Sequence, residues 1–138
     1  MEAHPLTKVE RLQAVLRGER PDRPPVSLWR HFPVDDQTAE GLASATIAYQ
    51  KLFDFDFLKI TPASSYCLKD WGIKDQWLGN PEGTRQYEKR VIQTPQDWLR
   101  LPELNPNRGS LNEHLTCLKI LKTHYSARLP YITTIFSP

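Results

Sequence analysis

The sequence is sparing with the residues that most often identify a protein. Its 138 residues include two cysteines, one methionine and six glycines. Cys67 and Cys117 are too few and too far apart for a disulfide framework or a Cys-x-x-Cys metal or redox pair, so a reduced, intracellular chain is expected. No apolar run approaches the roughly 20 residues of a membrane span. The opening Met1-Glu2-Ala3-His4 has neither the basic start nor the apolar core of a secretory leader. A soluble cytoplasmic protein is the expectation, with no membrane partner. Charge is not one-sided either. Eighteen Lys and Arg against sixteen Asp and Glu leave +2, and no basic cluster exceeds two neighbours, which argues against a nucleic-acid partner. There is no glycine-rich phosphate loop, no nucleophile elbow and no Ser/His/Asp arrangement.

Proline, by contrast, is plentiful, with twelve residues. Pro21, Pro24, Pro25 and Pro33 fix φ and remove backbone donors, bracketing the apolar run Val26-Ser27-Leu28-Trp29. That run suits a buried strand. It ends on Arg30 and His31, a permanent cation and a group that titrates near neutral pH. Chemistry sits where strands end in a catalytic barrel.

Before this stretch, Thr7 and Glu10 have the spacing of a capping box, and Val9, Leu12, Val15 and Leu16 repeat at helical intervals up to Gly18. After it, Asp35 or Asp36 can cap a second helix whose stripe is Leu42, Ala45, Tyr49, Leu52 and Phe53. Residues 54–61 alternate as a strand, which Pro62 stops. Strand, helix, strand in this order is a right-handed βαβ unit with a parallel pair. Residues 63–93 are irregular and aromatic, with a small antiparallel hairpin expected over 84–92. Pro95 occupies the favoured first position of a short helix that turns Trp98 and Leu101 inward. Ser110 and Glu113 form a second capping-box pattern, opening a helix on Leu111, Leu115, Leu118, Leu121 and Tyr125. A third strand follows over 130–136.

The succession Leu16-Arg17-Gly18-Glu19, then Pro21-Asp22-Arg23-Pro24-Pro25-Val26, then a strand closing on Trp29-Arg30, resembles the opening of the uroporphyrinogen decarboxylase superfamily, most strongly over residues 12–30. The resemblance implies an α/β fold: a partial TIM (β/α)₈ barrel with about three parallel strands and flanking helices. Residues 1–138 would be the amino-terminal portion of a single barrel domain, because a whole barrel takes about 250 residues. It also implies a lyase that releases CO₂ from tetrapyrrole carboxylates without a cofactor, with Arg30 as the carboxylate clamp. Two departures stand out. Arg30-His31-Phe32-Pro33-Val34 replaces the Arg-Gln-Ala-Gly-Arg pattern of the tetrapyrrole enzymes, and Ala63 falls where they carry an aspartate. Both losses point to the other branch of the superfamily, the corrinoid-dependent methyltransferases in which zinc activates a thiol. A third reading is a non-catalytic chain that completes a barrel with another. In each case the open sheet edge calls for a homo-oligomer or for the missing barrel half.

The candidate site residues follow. Arg30 can hold a carboxylate through two parallel hydrogen bonds, or can satisfy backbone carbonyls at the barrel rim. His31 offers an acid–base group or a metal ligand, or a bond to a neighbouring loop. Lys59 interrupts an apolar strand and either meets an anionic substrate, or pairs with Asp54 or Asp56 or takes an outward position against a helix. Asp56 is a candidate substrate contact, and with Asp54 either a carboxylate dyad on one strand face or a solvated turn. Tyr66 and Trp71, with Trp77, either line an apolar substrate pocket or form a loop core or an oligomer contact. His114 and Cys117, three apart on one helix, have metal-ligand spacing without the further ligands of a four-ligand set, which favours packing. The substrate class is an acidic small molecule.

Overall fold

The computed structural model describes residues 4–136; the residues read above for a leader, 1–3, and the last two lie outside it. The first element is α1, Lys8–Leu16. Its capping box forms: Thr7 Oγ1 accepts from Glu10 N at 3.3 Å, and Glu10 Oε2 accepts from Thr7 N at 2.8 Å. The chain leaves the helix at Gly18 with φ +73°, the left-handed turn a glycine makes without strain. The buried face is not the expected apolar stripe. Arg11 and Ala14 are buried, while Val15 and Leu16 are exposed, because α1 docks through an arginine and not through its aliphatic side chains.

Residues 26–29 run extended but join no ladder. Pro24 and Pro25 supply no donors, and one backbone bond links the segment to the next strand, from Asp56 N to Val26 O at 2.9 Å. The expected buried strand is therefore an extended segment with Val26, Leu28 and Trp29 each more than half exposed. A 3₁₀ turn, Asp35–Gln37, takes up the residues expected to cap the second helix, and Thr38 caps it instead, accepting from Gly41 N at 3.0 Å. The helix α2 spans Ala39–Phe53 and buries Ala39, Leu42, Ala43, Thr46 and Gln50. Leu52 and Phe53, assigned inward by sequence, face solvent.

Strand β1, Leu58–Ile60, is shorter than expected because Asp54 closes α2 in the left-handed region at φ 51°. The hairpin strands β2, Lys74–Trp77, and β3, Arg85–Lys89, are antiparallel, with Asp75 opposite Tyr87 and Trp77 opposite Arg85. The hairpin starts ten residues before the expected stretch, since residues 74–77 form its first strand. A 3₁₀ segment, Pro95–Arg100, follows with Pro95 in its first turn, but Trp98 is 53% exposed and does not point inward. Helix α3, Gly109–Tyr125, has no capping box of its own. Asp70 takes that part from across the fold, its two carboxylate oxygens accepting from Ser110 N at 2.8 Å and Leu111 N at 3.1 Å. Gly109 leaves room for this, because a Cβ there would run into the Asp70 carboxylate. Glu113, freed from capping, accepts from Ala39 N at 3.1 Å and ties the starts of α2 and α3 together.

Strand β4, Tyr131–Thr133, pairs in parallel with β1, Lys59 opposite Ile132. Three parallel strands were expected; the ladder holds two, with the extended segment as the incomplete third. Ile60 packs with Ala39, Leu42, Ala43, Cys117 and Leu121 in a core between the sheet and the two helices. Alternation along a strand then sends Lys59 and Ile132 to the opposite face, away from the helices. The architecture is a mixed α/β layer, helices on one side of a short parallel sheet, with a separate hairpin beyond the β1 end. No helix among the described residues is long and apolar enough to cross a membrane.

Candidate functional site

The carboxyl ends of β1 and β4, with the end of the extended segment, converge on residues 30–36, 61–66 and 133–136. The structure distributes the sequence candidates unevenly around this end. Arg30 is exposed; its Nε donates to the His31 carbonyl at 3.2 Å, and its guanidinium lies 5.5 Å from the Phe32 ring centroid. Phe32 in turn packs edge-on against Tyr49 of α2. Arg30 therefore leans to the helix side. Lys59 lies on the other face of the sheet, its ammonium 4.0 Å from the Trp29 ring centroid, within cation–π range. The pairing with Asp54 or Asp56, one of the alternatives for Lys59, is not made: Asp54 pairs with Lys8, and Asp56 with arginines. Arg30 and Lys59 thus lie against different rings, those of Phe32 and Trp29.

Asp56 is 1% exposed, and both of its oxygens are taken by the protein itself. Oδ1 accepts from Arg11 Nη1 at 2.7 Å and Arg23 Nη2 at 2.8 Å, and Oδ2 accepts from Arg23 Nη1 at 2.5 Å and Val26 N at 2.8 Å. Burial alone would push its carboxyl up, but the bonds from Arg23 and Val26 and the two guanidinium charges hold it below the ordinary carboxylate range. It anchors α1 and the extended segment and has no oxygen left for a substrate. Nor do Asp54 and Asp56 form a dyad, since Asp54 closes a helix in solvent.

Trp71 donates its indole N–H to the Pro102 carbonyl at 2.8 Å, tying the irregular loop to the segment before α3. Tyr66 is buried; its hydroxyl donates to the Thr134 carbonyl at 3.3 Å and its ring lies 4.7 Å from the His114 ring. His114 Nε2 meets Thr133 Oγ1 at 2.8 Å, while Nδ1 is buried without a partner. Burial lowers the His114 pKa and favours the neutral ring. Cys117 is fully buried, and burial pushes its thiol up to about 12. No group of three or more metal-binding side chains occurs among the described residues.

Sequence reasoning missed the most enclosed polar groups at this end. The inner face of the hairpin carries Asp75 and Arg85, whose side chains are 3% and 7% exposed and meet at 2.7 Å. Asp75 also accepts from Ser65, just past the end of β1. Arg85 Nη1 is buried and unpartnered. Two residues earlier, Gly83 abuts His31 so closely that a Cβ would run into the imidazole, and His31 Nδ1 is likewise buried without a partner. Asp36 Oδ2 is a third such atom. Burial raises the Asp36 carboxyl, opposed by the bond from Gln37 and by the charges of Arg85, His31 and Lys69. A cavity of about 130 Å³ opens between Asp36, Lys69, Tyr66, Glu113, His114 and Cys117. The alternation of residues 74–77 and 85–89 was the one signal that could have placed Asp75 and Arg85 on a common inner face.

Neither a protein-family model nor a curated protein matches the sequence. Among solved structures, a methyltransferase from Methanosarcina mazei superposes with a TM-score of 0.73 at 18% identity, over 93% of this chain and 42% of that one. The chain spans less than half the length of that methyltransferase, and at this identity the likeness is one of fold.

Proposed function

We propose that the chain is a barrel segment of a corrinoid- and zinc-dependent methyltransferase of the superfamily that includes uroporphyrinogen decarboxylase. The observation that carries this reading is the fold likeness to a methyltransferase over nearly the whole chain. The replaced second arginine and Ala63, which depart from the decarboxylase pattern, point the same way. Decarboxylation of an acidic tetrapyrrole is the second reading, resting on the motif over residues 12–30.

Zinc, when bound in such an enzyme, activates a thiol for methyl transfer. The residues here do not fit that metal: His114 is bonded to Thr133, and no group of three ligating side chains occurs among the described residues. The segment's own part is to bind and orient. Arg30 presents its exposed guanidinium at the end of the extended segment, where it can hold the anionic group of a small substrate. Lys59, fixed over Trp29, adds a cation on the sheet face away from the helices. That face, with Trp29 and Ile132 each more than half exposed, is the one further barrel strands would cover.

The test is an assay of methyl transfer from methylcobalamin to a small anionic thiol, with zinc supplied, beside CO₂ release from uroporphyrinogen. Both are run on this chain and on any longer polypeptide that contains it. Methyl transfer without CO₂ release is the expected result; CO₂ release without methyl transfer overturns it.

A further inference from the structure

The end of the sheet away from Arg30 holds an open cleft that neither reading uses. It measures about 580 Å³ and lies where α2 and α3 finish and the chain turns toward β1 and β4. Its walls follow from spacing along the two helices. Ile47, Lys51 and Asp54 recur at intervals of four and three residues along α2 and its cap, on one face. Opposite them stand Tyr125, the last residue of α3, and then Arg128 and Leu129. Leu129 is buried and Ile47 and Tyr125 are half-buried, so the floor is apolar; Lys51 and Arg128 are exposed, so the rim is cationic and open to a ligand. Cations at helix ends ordinarily answer the terminal carbonyls. Here Lys8 donates to Asp54 O at 3.2 Å and Phe55 O at 2.9 Å, and it pairs with the Asp54 carboxylate, the one carboxylate on the lining among the described residues. Arg128 uses Nε for Tyr125 O at 3.4 Å, which leaves its two Nη groups for another partner. Among the described residues neither Lys51 nor Arg128 makes an ion pair. Two uncompensated positive charges thus border one apolar floor, in a space within the roughly 300–1,000 Å³ of small-molecule sites.

We propose that this cleft binds a small amphiphilic anion, its carboxylate or phosphate head held by Lys51 and Arg128 and its apolar body resting on Ile47, Tyr125 and Leu129. A guanidinium takes either head group through two parallel hydrogen bonds. The cleft lies at the amino ends of the strands and Arg30 at the carboxyl end, so the methyl-transfer reading can fail without it.

The probes are 4-phenylbutyrate, phenyl phosphate, 4-phenylbutylammonium and inorganic phosphate, each titrated into the chain and followed by NMR of the Ile47 and Leu129 methyl groups. Saturable shifts of both methyls are expected with at least one aryl anion, and the tighter of the two names the head group. The ammonium and inorganic phosphate should leave the methyls unmoved. Lys51→Gln and Arg128→Gln change exposed side chains and should each weaken binding about fivefold, the upper end for an exposed ion pair. Lys89→Gln, on β3 of the hairpin, removes the same charge outside the cleft and should leave the affinity as it was. Unmoved methyls with both aryl anions, equal shifts with the ammonium or with inorganic phosphate, or the same affinity in the Lys51 and Arg128 variants as in Lys89→Gln overturns the proposal.

Discussion

Arg11 of α1 and Asp56 before β1, 45 residues apart in sequence, meet at 2.7 Å, with both side chains nearly inaccessible. Arg11 also clamps Asp22 through Nε and Nη2, each at 2.8 Å, so one guanidinium joins the first helix, the proline-rich segment and the sheet. A buried charge whose partner is removed is strongly destabilising. Asp56→Ala is therefore expected to cost about 3 kcal/mol, read from the urea midpoint. Because Arg23 is about half exposed while Arg11 is buried and also holds Asp22, Arg23→Met should cost less than Arg11→Met. Equal costs would mean that α1 is held by something other than this ion group.

The same group makes a prediction about pH. Hydrogen bonds from Arg11, outweighing burial, hold the Asp22 carboxyl well below the ordinary carboxylate range, and Asp56 is also lowered. Groups so lowered bind fewer protons folded than unfolded, so their contribution is complete above about pH 4 and is lost as pH falls further. His114, lowered by burial, behaves similarly at higher pH: its contribution is full above about pH 6.5 and declines below it. Urea midpoints at pH 7.5, 5.5 and 3.5 should fall in two stages. His114→Gln should abolish the first stage and leave the second.

How much of this was legible in the sequence depends on whether the determinant was local. The Thr7–Glu10 box, Gly18, Pro95 and the parallel strand after α2 all follow from neighbours a few residues apart, and they stand in the structure. The Ser110–Glu113 box has the same local signature and does not form, because Asp70, forty residues away, supplies a carboxylate and Glu113 turns to Ala39. Arg11, which lies outside the expected stripe of Val9, Leu12, Val15 and Leu16, is buried because its partners come from residues 22 and 56. The run 26–29 has strand composition, but two prolines ahead of it and a single backbone bond leave it extended and exposed. At the site, Arg30 and His31 follow an extended segment that joins no ladder, where a strand was expected. Asp75 and Arg85 belong to no motif and are brought together only by the pairing of β2 with β3.

Gly83 offers a test of that hairpin. Its φ is +77°, and a Cβ would strike His31. Gly83→Ala must strain the turn and displace the imidazole, at a cost of about 1–2 kcal/mol, whereas Gly79→Ala shares the positive φ but has open space around it. The His31 ring resonances should move in the first variant and not in the second. Movement in both would mean that the hairpin does not sit on His31.

Thiol accessibility gives the last check, on the core itself. Cys117 has no exposed surface and packs with Leu42, Ile60 and Leu121, while Cys67 is partly exposed. Burial raises both thiols, Cys117 up to about 12, so neither is a ready nucleophile at neutral pH. Alkylation at pH 8 should label Cys67 slowly and leave Cys117 untouched until denaturant opens the core. Truncating its neighbour Leu121 to Ala removes a fully buried side chain, at a cost of about 2–5 kcal/mol, and should bring Cys117 labelling forward to lower denaturant. Early labelling of Cys117 in the unaltered chain would place the helices apart from the sheet, and the cavity between α2 and α3 could not then exist in solution.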